Sequence, residues 1–181
     1  TGVQTCALPI YIAYSEGFSP HQKMSFAAPL SVGITSRGEY FDIEVHSTDS
    51  SAVMLEKLNH KNVEGVEILS YRQLPEGAKN AMSIVAGADY FVYFEGLTKE
   101  IVENFYNQSS IEILKKTKRS EKIVDIKPMI YELRYENEGI FMKVAQGSAA
   151  NLKPDLVMQA LSEFAGIMLP EFVQYERLDM Y

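Results

Sequence analysis

Ten consecutive residues, Tyr14-Ser15-Glu16-Gly17-Phe18-Ser19-Pro20-His21-Gln22-Lys23, hold the most varied side-chain chemistry of the chain. Ser15, Ser19, His21 and Lys23 supply hydroxyl, imidazole and ammonium groups suited to a phosphate or an RNA backbone. Tyr14 and Phe18 supply rings on which a base can stack. The same string also reads as a plain turn between elements, in which Gly17 and Pro20 set the backbone and Phe18 plugs the core. Composition alone leaves both readings open.

A second concentration is Lys115-Lys116-Thr117-Lys118-Arg119-Ser120-Glu121-Lys122, with one acid among five bases. It reads either as a loop that grips phosphates or as a solvated hairpin tip kept basic to deter edge pairing. Asp125 follows, an acid inside the short apolar run Val124-Asp125-Ile126-Lys127-Pro128. It is expected to pair with Lys127 or Arg134, or to point outward; a catalytic carboxylate needs a second acid or base, and the sequence offers none. His21 has no companion at metal-ligand spacing, and His46 and His60 lie far from it along the chain. No nucleophile elbow, phosphate loop or dinucleotide fingerprint is present. No catalytic residue and no metal ligand is therefore assigned. Tyr90, Phe91, Tyr93 and Phe94 form either a base-stacking platform on an open sheet face or ordinary core and cross-strand pairs.

These residues must be held by elements, and the hydrophobic pattern predicts which. Residues 39–45 alternate as a half-buried strand, and Asp49, Ser50 and Ser51 offer caps for a helix bearing Val53, Met54 and Leu58. Residues 66–71 read as another strand, and 76–87 as a connector with one helical turn. The pattern then restarts: a strand at 90–94, a helix capped by Thr98, strands at 111–114 and 123–126 flanking the basic loop, and a hairpin about Asn137-Glu138-Gly139. A helix opened by Pro154 follows, ended by Pro170, and then a strand at 172–178. Gly33, Gly38 and Gly87 read as turn residues. The expected class is α+β: tandem ferredoxin-like (split βαβ) units with mostly antiparallel sheets, at 11–75 and 88–181, the first truncated at its N-terminus.

The truncation rests on the first ten residues, Thr-Gly-Val-Gln-Thr-Cys-Ala-Leu-Pro-Ile. They read as the in-frame translation of a sequencing-library adapter, blurred at Leu8-Pro9-Ile10, and are expected to be a non-native scar. An opening strand and helix, about 20–25 residues, would then be missing, and the first half is expected to be poorly soluble or partly unfolded. The single cysteine, Cys6, falls in the scar, so no thiol chemistry is expected, in keeping with a reducing, cytoplasmic setting. The 181 residues, 46% hydrophobic and 23% charged, have globular composition, and a net charge of −7 argues against nonspecific coating of nucleic acid or anionic membrane. No apolar run is long enough to span a bilayer.

The run 13–21, with Ser25-Phe26, Pro29-Leu30, Gly33 and Gly38-Glu39-Tyr40-Phe41-Asp42, closely resembles the radical SAM-linked protein family, whose hallmark is A-Y-S-x-G-F-x-P-H followed by S-F, P-L-x-x-G and G-E-Y-x-D. Val124-Asp125-Ile126-Lys127-Pro128 is similar to its V-D-I-[RK]-P motif. The resemblance covers 11–181. More distantly, the chain resembles the tandem ferredoxin-like RNA-processing proteins of CRISPR systems, without their glycine-rich C-terminal loop. The first resemblance implies a companion of a radical SAM protein, with the iron–sulfur cluster and S-adenosylmethionine in the partner and no cofactor in this chain. Three roles follow as expectations: a non-catalytic module that presents tRNA or rRNA, an RNA-processing enzyme using His21 or Asp125, or a structural scaffold. The residues expected to bind are Tyr14, Ser15, Gly17, Phe18, Ser19, Pro20, His21, Lys23, Lys115, Lys116, Lys118, Arg119, Asp125 and Lys127.

Overall fold

Helices and mostly antiparallel sheets alternate along the chain in the computed structural model, which describes residues 10–116 and 121–181. Backbone contacts divide these residues into two units. The first comprises the described residues through Ser25 together with Phe41–Asn80; the second comprises Phe26–Tyr40 and Ala81–Tyr181.

In the first unit β1 (Met24–Phe26) pairs with β3 (Phe41–Ile43), and single bridges join Ile12 to Val45 and Tyr14 to Gln22. The alternation at 39–45 thus shows as β3 plus the Val45 bridge. Helix α1 (Ser51–Lys61) is capped by Ser50, whose side chain accepts from the Val53 amide. Its Met54 and Leu58 are one turn apart and pack with Ile10 against Ile43, Val45, Ile68 and Tyr71. The strand expected at 66–71 does not form. The Asn59 carboxamide takes the place of a strand partner there, donating to the Ile68 carbonyl and accepting from its amide, both at 2.8 Å.

The second unit is built on a five-stranded sheet. Its strands are β2 (Ile34–Ser36), β4 (Gly87–Tyr93), β7 (Ile130–Glu136), β8 (Gly139–Ala145) and β9 (Gln174–Met180), in the order β2-β9-β4-β8-β7. Only β2 runs parallel to its neighbour, β9. Helices α3 (Lys99–Tyr106) and α4 (Pro154–Ala165) bury Val102, Phe105, Val157 and Leu161 in the same core as Tyr90, Val92, Ile140, Met142 and Val144 of the sheet. Helix α2 (Ala81–Ile84) is the short turn expected before β4. A hairpin of β5 (Glu112–Lys116) and β6 (Glu121–Asp125) stands between α3 and β7 as its own two-stranded sheet.

Local chemistry explains the junctions. Asn137 and Glu138 both have positive φ, 49° and 58°, as a two-residue hairpin turn with the twist of its strands requires. Gly139 then admits the Phe91 ring, which a Cβ would approach to 2.5 Å. Helix α4 stops at Gly166 in the left-handed region, four residues before the expected Pro170. Gly38 is not a turn glycine: a Cβ there would lie 2.6 Å from the Leu178 carbonyl oxygen, so it is the point where residues 26–40 press onto β9. That segment, expected in the leading unit, belongs to the second.

What holds it there is a buried arginine. Arg177 on β9 is 2% exposed. One terminal nitrogen of its guanidinium donates to both oxygens of Glu39, at 2.9 and 3.1 Å, and to the Ala28 carbonyl; the other donates to the Pro29 carbonyl. Its Nε donates to the Tyr90 hydroxyl, which donates onward to Gln146. Burial pushes the Tyr90 phenol up, so it stays a neutral link. Arg37 meets Glu176 at 2.6 Å, and the Tyr40 hydroxyl donates to Asp179.

Candidate functional site

Residues 14–23 form a closed loop in the first unit. The Ser15 amide donates to the His21 carbonyl at 2.9 Å, and the Lys23 amide to the Ala13 carbonyl at 2.8 Å. The Ser15 hydroxyl accepts from the His21 amide at 3.1 Å and lies 2.9 Å from His21 Nδ1. One proton shared between the Ser15 hydroxyl and Nδ1 closes this contact in either direction, so the neck is hydrogen-bonded in both imidazole tautomers. Gly17, at φ 119°, takes a conformation that a side chain resists.

The loop presents what it does not use. Phe18 is fully exposed, which removes the reading of Phe18 as a core plug. Tyr14 is half exposed and its hydroxyl accepts from Gln22. Glu16, Ser19, Pro20 and His21 are exposed or nearly so. Lys23 pairs with Glu44 at 2.9 Å, so its charge is already partly answered. Among the described residues no carboxylate hydrogen-bonds His21, so the Ser15–His21 pair lacks the orienting acid of a hydrolytic triad.

The aspartate of Val124-Asp125-Ile126-Lys127-Pro128 has a structural job. Its Oδ1 accepts from the Ile111 amide at 2.9 Å and the Lys127 amide at 3.0 Å, closing the base of the β5–β6 hairpin. These backbone donors hold the carboxyl below the usual aspartate range. Lys127 lies 3.4 Å from the centre of the Tyr106 ring and donates to the Tyr106 carbonyl, while desolvation lowers its ammonium. Asp125 therefore pairs with neither Lys127's ammonium nor Arg134; Arg134 instead bridges Glu132 and Glu136.

The basic run is only partly loop. Both strands extend into it, so that Lys115 stands opposite Lys122 and Lys116 opposite Glu121. Lys118 and Arg119 lie outside the described residues. The aromatic platform divides: Tyr90 faces the core at 1% exposure, whereas Phe91 and Tyr93 occupy the other face, ring centres 4.9 Å apart. Arg134 covers Phe141 beside them at 4.1 Å. A shallow cleft of about 470 Å³ is bounded by Tyr93 and Phe94 of the candidate platform with Glu95, Asn137, Glu138 and Pro170.

Sequence reasoning counted Lys122 in the basic run without setting it opposite Lys115, and it missed Arg177. The symmetric spacing of strands about the basic run was the available signal for Lys122. Arg177 carried none, because a lone arginine in an alternating strand reads as exposed. Among the described residues no cluster of three histidine, cysteine or acidic side chains is poised for a metal, and no helix is long and apolar enough to cross a membrane.

No curated protein and no solved structure matches the chain. A family profile does, over residues 8–154, a span that holds the loop, the Arg177-bound segment 26–40 and the β5–β6 hairpin. The chain belongs to that family, described as an uncharacterized protein conserved in bacteria (DUF2344).

Proposed function

We propose that this protein is a binding module without a catalytic centre of its own, which presents RNA, a tRNA or rRNA, to a radical SAM partner in the cytoplasm. The iron–sulfur cluster and S-adenosylmethionine belong to that partner. The observation that carries the RNA contact is Phe18: a bare ring on a hydrogen-bonded loop that also exposes the His21 side chain. Stacking serves any base, and the imidazole serves a phosphate, so the loop suits an unpaired nucleotide. The motif resemblance carries the partner. Once the separate β5–β6 hairpin is set aside, β4, α3, β7, β8, α4 and β9 follow one another as strand, helix, two strands, helix and strand, with neighbours β9-β4-β8-β7, which supports a ferredoxin-like reading of that unit.

Phe18→Ala tests the reading with little effect on folding, because the ring touches no core. RNA affinity should fall about 5- to 150-fold, the ~1–3 kcal/mol of one base stacked on an aromatic ring, with an unchanged thermal midpoint. Unchanged affinity would remove the loop from the RNA site. Co-purification of the partner with no retained nucleic acid would leave a scaffold role. Turnover of RNA by the isolated chain, lost in His21→Ala, would replace the module by an enzyme.

A further inference from the structure

The β5–β6 hairpin carries an arrangement that folding alone does not favour. Lys115 and Lys122 stand directly opposite each other on its two strands. Like charges at such a position repel and destabilise the pair. Both side chains are exposed, and neither meets an acid within ion-pair distance among the described residues. Elsewhere in this acidic chain several bases do find partners: Lys23 with Glu44, Arg37 with Glu176, Arg134 with Glu132 and Glu136, and Lys143 with Asp89. Lys61, Arg72, Lys79 and Lys153 have no ion pair among the described residues, but none of them lies beside another lysine or arginine along the chain. The next pair along the same ribbon, Lys116 opposite Glu121, has complementary charges.

The strand period fixes where this charge lies. Ile113 and Val124, two residues earlier on the same face, pack with the core of the second unit. The lysine pair thus continues the inward-looking face of the hairpin beyond its packed base. Leu114 and Ile123 form the opposite face and are 52% and 62% exposed. The hairpin is also firmly rooted. Asp125 ties β6 to the Ile111 amide, and the Ile126 amide donates to the Ile111 carbonyl at 2.8 Å. A rooted ribbon with two opposed, unanswered ammonium groups is arranged to take a negative charge between them.

We propose that the β5–β6 hairpin is a second RNA-contact element, in which Lys115 and Lys122 together clamp the phosphate backbone. The inference rests on the RNA reading above and adds a site on the other unit. Its occupant is RNA rather than an acidic protein segment, because a phosphodiester is compact enough to accept from two ammonium groups at once and repeats along the strand.

Lys115→Glu tests this in the intact 181-residue chain without jeopardising the fold. It turns the repelling pair into a complementary one, so the thermal midpoint should rise. The remaining Lys122 is then neutralised by the carboxylate introduced opposite it, so both contacts to the phosphate are lost. Affinity for single-stranded RNA should fall at least tenfold at low salt. The slope of log K against log salt should become shallower by about 0.7, the value of one neutralised phosphate on a single strand. Lys115→Gln should fall between the two proteins in both midpoint and slope.

A higher midpoint with unaltered affinity and slope would overturn the clamp and make the lysines a solvated guard of the hairpin edge. Displacement of RNA binding by poly-glutamate at matched charge would overturn RNA as the occupant. If Phe18→Ala weakens RNA binding while Lys115→Glu does not, the clamp fails and the module reading stands. If the wild-type chain binds no RNA at all, the module reading fails first.

Discussion

Two aspartates show how far one side-chain type is governed by what surrounds it. Asp125 sits at the hairpin base with two backbone N–H groups on one oxygen, and its carboxyl is held low. A depressed folded value means that its stabilisation is present above the ordinary aspartate value of 3.8 and is lost as pH falls through the lower folded value. Asp125→Ala should therefore lower the thermal midpoint at pH 7 and converge on wild type in strong acid, while Asp125→Asn, which keeps the acceptor oxygen, should lose less. RNA turnover or binding that depends on the Asp125 charge at unchanged stability would refute this structural role. Asp89 on β4 is the converse. Its Oδ1 is buried without a hydrogen-bond partner, and Lys143 opposite it is 3.7 Å away, too far to donate. Burial raises its carboxyl above the ordinary value of 3.8, with Glu132 and Asp179 adding repulsion and Lys143 opposing. A raised folded value stabilises fully below 3.8 and loses that stabilisation as pH climbs through the folded value. At pH 7 the buried charge is a liability, so Asp89→Asn, which removes the charge and keeps the shape, should raise the unfolding free energy. The gain should vanish once pH falls below the ordinary aspartate value; a gain that persists there, or a loss at pH 7, would contradict this account.

At the scale of elements, the segment 26–40 decides how the chain is organised, and it was the least legible part of the sequence. Long periodic segments announce themselves. The stripe of α4, the caps of α1 and α3, and the Asn137-Glu138 turn all form as their residues dictate. The expected strand ends moved by only a few residues, as with β9 at Gln174–Met180 against 172–178. Residues 26–40 have no periodicity, and β2 is three residues long. Their position is set by contacts to β9, with Arg177 reaching Glu39 and the carbonyls of Ala28 and Pro29 across 138 to 149 positions of chain. The Pro29 and Gly38-Glu39-Tyr40 motif positions are thus explained as anchorage and Gly33 as a turn at positive φ, whereas the Ser15-to-His21 loop keeps its chemistry free. Local windows cannot see a tertiary ion pair, and charge patterning alone treats Arg177 as a surface residue. Arg177→Ala leaves the Ala28 and Pro29 carbonyls and the Tyr90 hydroxyl without their donor, while Glu39, exposed to solvent, keeps the Ser36 hydroxyl. It should cost about 1–3 kcal/mol in urea unfolding, the penalty for a buried polar group left unsatisfied. Arg177→Met, which refills much of the vacated volume, should cost less than Arg177→Ala. A loss too small to measure for Arg177→Ala would mean that the segment is held by something else.

For the molecule as a whole, burial is distributed unevenly between the units. Among the described residues the first unit gathers Ile10, Met54 and Leu58 into its core, whereas the second packs two helices across a five-stranded sheet. Local opening costs less where fewer apolar contacts are broken, so the units should differ in amide exchange. The chain order makes this a sharp test, because it enters the second unit at Phe26, leaves it after Tyr40 and returns at Ala81. If neighbours in sequence governed stability, 26–40 would exchange with the elements on either side. If tertiary anchorage governs it, the slow amides will be those whose bonds lie within the second unit: Ala27, which donates to the Tyr40 carbonyl, and Arg37, which donates to the Arg177 carbonyl, both at 2.9 Å. Hydrogen exchange should then show Ala27 and Arg37 protected on the timescale of β4 and β8, while the amides of α1 and of 63–71 exchange earlier. Arg177→Ala should release Ala27 and Arg37 without accelerating α1. Exchange of 26–40 in step with α1 would mean that the segment opens with the first unit and that the Arg177 contacts do not define the boundary.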